Sequence, residues 1–151
     1  MANYCAAGAA GTASATAATA GIIMVDNAAT ILSVPVIYEF GVYPGAAAED
    51  SNYTIQAKTQ TTRGTWTSVT PAPLDPASAA SKATAGKAST VAGTAGTILA
   101  IFGFNQRGGF RWVAVPGGEF YMPRANSNGI IIEYAVVQGT AVNYGNIMFR
   151  E

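Results

Sequence analysis

From residue 98 onward the chain is a succession of short runs rich in β-branched and aromatic residues, separated by Gly, Pro and Asn. These runs are 98–104 (ILAIFGF), 110–115 (FRWVAV), 118–122 (GEFYM), 129–137 (GIIIEYAVV) and 141–149 (AVNYGNIMF). Apolar runs of roughly four to eight residues bounded by turn formers read as strands, and no helical periodicity of comparable strength competes with them. Upstream, 22–25 (IIMV) opens ordered structure ahead of a turn at Asp26-Asn27, and 35–44 (PVIYEFGVYP) is a strong strand closed by Pro44-Gly45. Strict alternation there puts Val36, Tyr38, Phe40 and Val42 on one face and Ile37, Glu39, Gly41 and Tyr43 on the other. Apolar groups on both faces place this strand inside a sandwich or at a subunit contact. Tyr53, Ile55 and Ala57 alternate with Thr54, Gln56 and Lys58 as a half-exposed strand, and Trp66 with Val69 marks a further short one. The expected fold is therefore all-β, an antiparallel β-sandwich or jelly roll of about eight strands.

Two tracts break the pattern. Residues 6–20 and 77–97 are built almost wholly from Ala, Gly, Ser and Thr; the first carries no charge and the second only Lys82 and Lys87. A flexible linker usually carries polar or charged residues, whereas small, nearly neutral residues let a backbone lie flat on another protein surface. Gly8, Gly11 and the threonines weaken a helix in the first tract. The expectation is an extended N-terminal arm over 1–21, ordered by a partner in preference to plain disorder, and a sandwich domain over 22–151. Within that domain PAPLDP at 71–76 has three prolines that remove amide donors, so it opens a long surface loop over about 71–97.

Eight basic residues balance eight acidic ones, so no net field draws in nucleic acid or an anionic membrane. The N-terminal MANYCAAGAAG has neither the basic start nor the apolar stretch of a secretory signal. No apolar run approaches the roughly 20 residues that cross a bilayer as a helix. The expectation is a soluble protein without a targeting segment. A lone Cys5 excludes an internal disulfide framework and a multi-Cys metal site.

Catalysis has little to work with. The chain contains no histidine, which removes the usual triad base and the commonest metal ligand, and leaves Cys5 without a partner that would hold its thiolate. Glu119 and Glu133 are the pair of carboxylates that neighbouring strands could bring together across a glycosidic bond. Isolated glutamates on half-exposed strands are more commonly solvated or paired with an arginine, here Arg111 or Arg124. Glu49-Asp50-Ser51-Asn52 offers oxygen ligands without the alternating spacing of a calcium loop, so a solvated loop is the plainer reading. NQRGGFRWVAV sets Phe110 and Trp112 among Arg107 and Arg111, a pattern that nucleic-acid stacking can use. With only two cations, packing of Phe110 and Trp112 into a core or a protein interface is favoured, and Gly108-Gly109 serves as a turn. No catalytic, cofactor or metal residue is assigned.

The order of elements carries a resemblance: PVIYEFGVYP, an alternating strand ending near TTRGTWTSVTPAPLDP, a small-residue tract, then FGFNQRGGFRWVAVPGGEFYM and a closing strand to IMFRE. Over roughly 35–151 this resembles the small β-sandwich decoration, or cement, proteins of tailed-bacteriophage heads. The shared motifs are turns and strands that shape a fold, and none carries chemistry. The resemblance implies a non-enzymatic virion protein, assembled in the host cytoplasm, that sits on the capsid surface as a homotrimer and clamps neighbouring major capsid protein subunits. Surplus apolar surface on several strand faces points independently to an oligomer contact. A different class also fits: a receptor- or carbohydrate-binding head of a viral fibre, with Tyr121, Tyr134 and Tyr144 as its platforms.

Overall fold

The computed structural model describes residues 1–12, 21–28, 34–91, 93–136 and 142–151. Among them lie twelve strands: β1 (Asn3–Thr12), β2 (Gly21–Asn27), β3 (Val36–Pro44), β4 (Asn52–Thr62), β5 (Thr65–Val69), β6 (Ala72–Pro73), β7 (Ala83–Val91), β8 (Thr94–Asn105), β9 (Phe110–Val113), β10 (Phe120–Tyr121), β11 (Gly129–Val136) and β12 (Val142–Arg150). They form two antiparallel sheets. The first runs β10-β3-β12-β1-β6, with β9 also on the free side of β3; the second runs β5-β7-β2-β11-β4-β8.

The chain alternates between the sheets along β1–β4 and again from β8 through β9 and β10 to β11 and β12, and the pairing is that of one long hairpin rolled up. β1 lies on β12, β2 on β11, β3 on β9 and β10, and β4 on β8; rolling then sets β3 against β12 and β4 against β11. This is the double-sheet jelly roll. Its framework has the expected eight strands if β9 and β10 are taken as one interrupted strand, and β5, β6 and β7 form the tip of the hairpin. The two inner faces meet in one core of Ile22, Ile23, Val25, Ile37, Phe40, Val42, Tyr53, Ile55, Ile130, Ile132, Ile147 and Phe149. β2 is buried along its whole length because Met24, on its outer face, is covered in turn by Gln60, whose Nε2 lies 3.6 Å from the Met24 sulfur.

Three expectations need correction. Residues 3–12 are a sheet strand held between β12 and β6, with Asn3 opposite Arg150 and Gly8 opposite Gly145. The alternation that makes it one is Tyr4 and Ala6 inward, Cys5 and Ala7 outward; Tyr4 stacks on Phe149 with ring centroids 5.5 Å apart, and its hydroxyl donates to the Ala79 carbonyl at 3.0 Å. A Cβ at Gly8 would collide with the Lys87 stem, so smallness here serves close packing between strands. The arm expected over 1–21 is therefore replaced by β1 as far as residue 12, and the stretch 13–20 lies outside the described residues.

The long loop expected over 71–97 is largely sheet as well. β7 buries Ala83 and Ala85, and Gly86 leaves room for Trp66, whose Cβ stands 2.6 Å from where a Gly86 Cβ would be. Arg63 fastens this hairpin tip to β2: its Nη1 donates to Asp26 Oδ1 at 2.9 Å and Thr84 Oγ1 at 2.6 Å, and its Nη2 to the Ala85 carbonyl at 3.2 Å. The strict alternation expected along β3 also fails. Against β12 the register shifts between Glu39 and Ile37, and this bulge at Tyr38 turns both Ile37 and Phe40 to the core.

Candidate interaction surface

A jelly roll leaves four sheet edges, and a bare edge is a template for another strand. Three of the four are short here. β6 is two residues ending in Pro73, β5 is five residues, and the free side of β3 is covered by the short β9 and β10. The fourth, β8, runs twelve residues without a charge or a proline, and among the described residues its only sheet partner is β4.

β8 and the β9–β10 edge stand on the same side of the molecule, joined by a turn in which Gly109 adopts φ 67°. The inward residues of this side form an aromatic ladder. Phe40 contacts Phe102, Phe110 and Trp112 at 5.7, 5.9 and 5.2 Å between centroids, and Trp112 stacks on Phe120 at 4.4 Å and 7°. The pairing of Phe110 with Trp112 on one core-facing side is as the sequence indicates. The outward residues are mainly aliphatic: Ile98, Leu99 and Ile101 on β8 are 50, 39 and 59% exposed, and Val113 and Val115 lie open on the neighbouring edge together with the aromatic Tyr121.

A second feature occupies the outer face of the first sheet. Tyr43 on β3 and Tyr144 on β12 are directly opposite in register and exposed. The Tyr43 ring lies over Gly41, where a Cβ would meet its Cζ at 2.5 Å. Beside it Arg111 binds Glu39 through two parallel bonds, Nε to Oε1 at 2.8 Å and Nη2 to Oε2 at 2.9 Å. The result is a pair of tyrosines edged by fixed polar groups.

The two carboxylates considered for catalysis are not brought together. Glu133 lies in the second sheet, bound by Lys58 Nζ at 2.5 Å and Gln56 Nε2 at 2.6 Å, whereas Glu119 precedes β10 of the first sheet and pairs with Arg150 at 3.2 Å. Arg111, one of the expected partners, goes to Glu39 instead. The Cys5 thiol is pushed above its ordinary value, chiefly by burial and then by Glu39, which opposes thiolate formation. In the 49–52 loop the Glu49 amide donates to Gln106 Oε1 at 2.6 Å, and Asp50 accepts from Asn105 Nδ2 at 2.6 Å, so the loop is bound to the β8–β9 turn.

Of the three tyrosines expected as a platform, Tyr121 and Tyr144 are exposed and Tyr134 is buried, with 4% of its surface open. Its hydroxyl accepts from Asn143 Nδ2 at 2.7 Å, and Asn143 Oδ1 accepts from Gln106 Nε2 at 2.9 Å, a chain of fully buried amides. Burial first of all pushes the Tyr134 phenol up to about 12. The sequence pointed neither to this network nor to Tyr43, because both depend on register between strands far apart in the chain.

No family model matches this chain, and no curated protein or solved structure is significantly similar to it.

Proposed function

We propose that the chain is a non-enzymatic structural virion protein that binds the outer surface of a phage capsid as a homo-oligomer and stabilises contacts between major capsid protein subunits. The observation that carries this reading is the open side, where a long uncharged edge strand and its aliphatic side chains lie next to the two short strands, β9 and β10, at one edge of the other sheet. Such an edge binds through backbone hydrogen bonds and apolar burial, and needs no net charge. Individually weak contacts of this kind become effective when repeated over a shell, because each attached copy raises the effective concentration of the next contact. The sequence resemblance supports the capsid as the partner and a trimer as the oligomer. Light scattering on the purified protein and co-sedimentation with empty expanded heads test the reading. Oligomers that bind heads are expected; a monomer at every concentration together with no head binding would overturn it.

A second reading, a carbohydrate-binding head of a viral fibre, is favoured by Tyr43 and Tyr144. Paired exposed rings edged by Arg111 and Glu39 can stack on a sugar ring and hydrogen-bond its hydroxyls. Binding on a glycan panel that Tyr144→Ala abolishes would select this reading, and a blank panel would dismiss it.

A further inference from the structure

We propose that β8 pairs with β8 of a second copy of this chain about a two-fold axis passing through Ile101, making one sheet continuous across two molecules. The inference rests on the reading of the chain as a self-associating module, puts a two-fold pair in place of the trimer that the resemblance implies, and adds the register. Among the four edges β8 is the one without the usual safeguards, since it is long and has no lysine, glutamate or proline. An uncharged strand meets its own antiparallel copy with no like charges opposed, so nothing electrostatic resists self-pairing.

The register follows from shape. Opposite residues of an antiparallel pair share a face, and over 100–105 β8 pairs with β4 without a register shift and so alternates regularly; β8 against its own copy therefore joins residues of like parity, and the sum of paired residue numbers is even. Placing Ile101 opposite its own mate sets Ala100 against Phe102 and brings Leu99, the residue skipped where the β4 register shifts between Ala100 and Ile98, over Gly103. Ile101 is the most exposed large side chain of the strand, and burying it on the axis removes that surface twice. A Cβ at Gly103 would have nothing within 4 Å, so the space above it is free to receive the half-exposed Leu99 of the other copy. The two ends of the contact are thus the same Leu-over-Gly fit, repeated by symmetry.

The size of the contact sets its strength. Nine residues from 97 to 105 span about 30 Å, and a sheet edge about 10 Å thick gives about 300 Å² per copy. That total of about 600 Å² is well under the roughly 1,200 to 2,000 Å² of stable complexes, which makes the pair weak and concentration-dependent. A weak two-fold contact suits a module whose pairing is completed on a shell.

The test uses two variants of the full chain. Opposed Cα atoms about 4.5 to 5.5 Å apart lie within the span a disulfide bridges, so Ile101→Cys in a Cys5→Ser background is expected to form a covalent dimer on mild oxidation. Val91→Cys in the same background is the exposed control away from the open side. Sedimentation equilibrium from micromolar to millimolar protein is expected to shift from one chain toward two, and Ile101→Lys, at a solvent-facing position, is expected to keep the fold and abolish the shift. A monomer at millimolar concentration, a trimer, or cross-linking no greater than in the control each overturns the two-fold pairing. A trimer that still binds heads would leave the decoration reading intact, whereas loss of head binding strikes that reading alone.

Discussion

Replacing Tyr4 by alanine tests whether the small-residue N-terminus is part of the core. The ring is buried, stacks on Phe149 and hangs its hydroxyl on the Ala79 carbonyl. Truncating a buried aromatic to alanine costs about 3 to 5 kcal/mol, and the lost hydrogen bond about 1 more, so the expected loss is about 4 to 6 kcal/mol. Against a total stability of about 5 to 15 kcal/mol this is a large share. At about 2 to 4 °C per kcal/mol for a chain of this size, the thermal midpoint falls by about 8 to 24 °C. Tyr4→Phe keeps the stack and loses only the hydroxyl contact, at about 1 kcal/mol. Calorimetry and urea unfolding of the two variants read the difference. Midpoints for Tyr4→Ala within about 2 °C of the parent would refute the packing of β1, and would restore a detachable arm. Deleting residues 2–12 is correspondingly expected to prevent folding, because it uncovers Phe149 and Ile147 along β12.

Three further outcomes are expected. The Tyr134 phenol, raised from 10.0 to about 12 by burial, contributes stability that is fully present below about pH 10 and is lost as the pH rises toward 12; urea titrations should lose up to about 3 kcal/mol over that window, and Tyr134→Phe should remove that part of the loss. Trp112→Ala should cost about 3 kcal/mol in urea unfolding through its stacks on Phe40 and Phe120, and an unchanged midpoint would show the ring to be free of both. Gly129→Ala should cost about 1 to 3 kcal/mol by thermal melt, because the new Cβ would stand 2.5 Å from the Val25 carbonyl oxygen, a backbone atom that cannot turn aside; equal stability would mean that β2 and β11 separate easily.

The strands that the sequence reveals are those whose large apolar residues alternate between turn formers, such as β4, β11 and β12. β1 and β7 are hidden because, Tyr4 apart, their inward residues are small, such as Ala6, Ala83 and Ala85, whose burial comes from the strands around them and not from their own hydrophobicity. The bulge at Tyr38 is equally silent, since a register shift is settled by the partner strand β12. For the interaction surface, the surplus of apolar residues at 98–101 is visible in the sequence, and their exposure is not. Nothing local tells that β8 ends its sheet. Tyr134 and Tyr144 look alike in sequence, yet Tyr134 falls on the core-facing side of β11, whereas the alternation of β12, with Asn143, Gly145 and Ile147 buried, turns Tyr144 to the solvent.

Attachment through the open side of the jelly roll is tested most directly by amide hydrogen exchange of the free protein and of the same protein bound in its assembly. Slower exchange over 94–105 and 110–121 in the bound state is the expected result, with the amides of β8 changing most. Unchanged exchange over β8, together with slowing on another face such as that of Tyr43 and Tyr144, would contradict it.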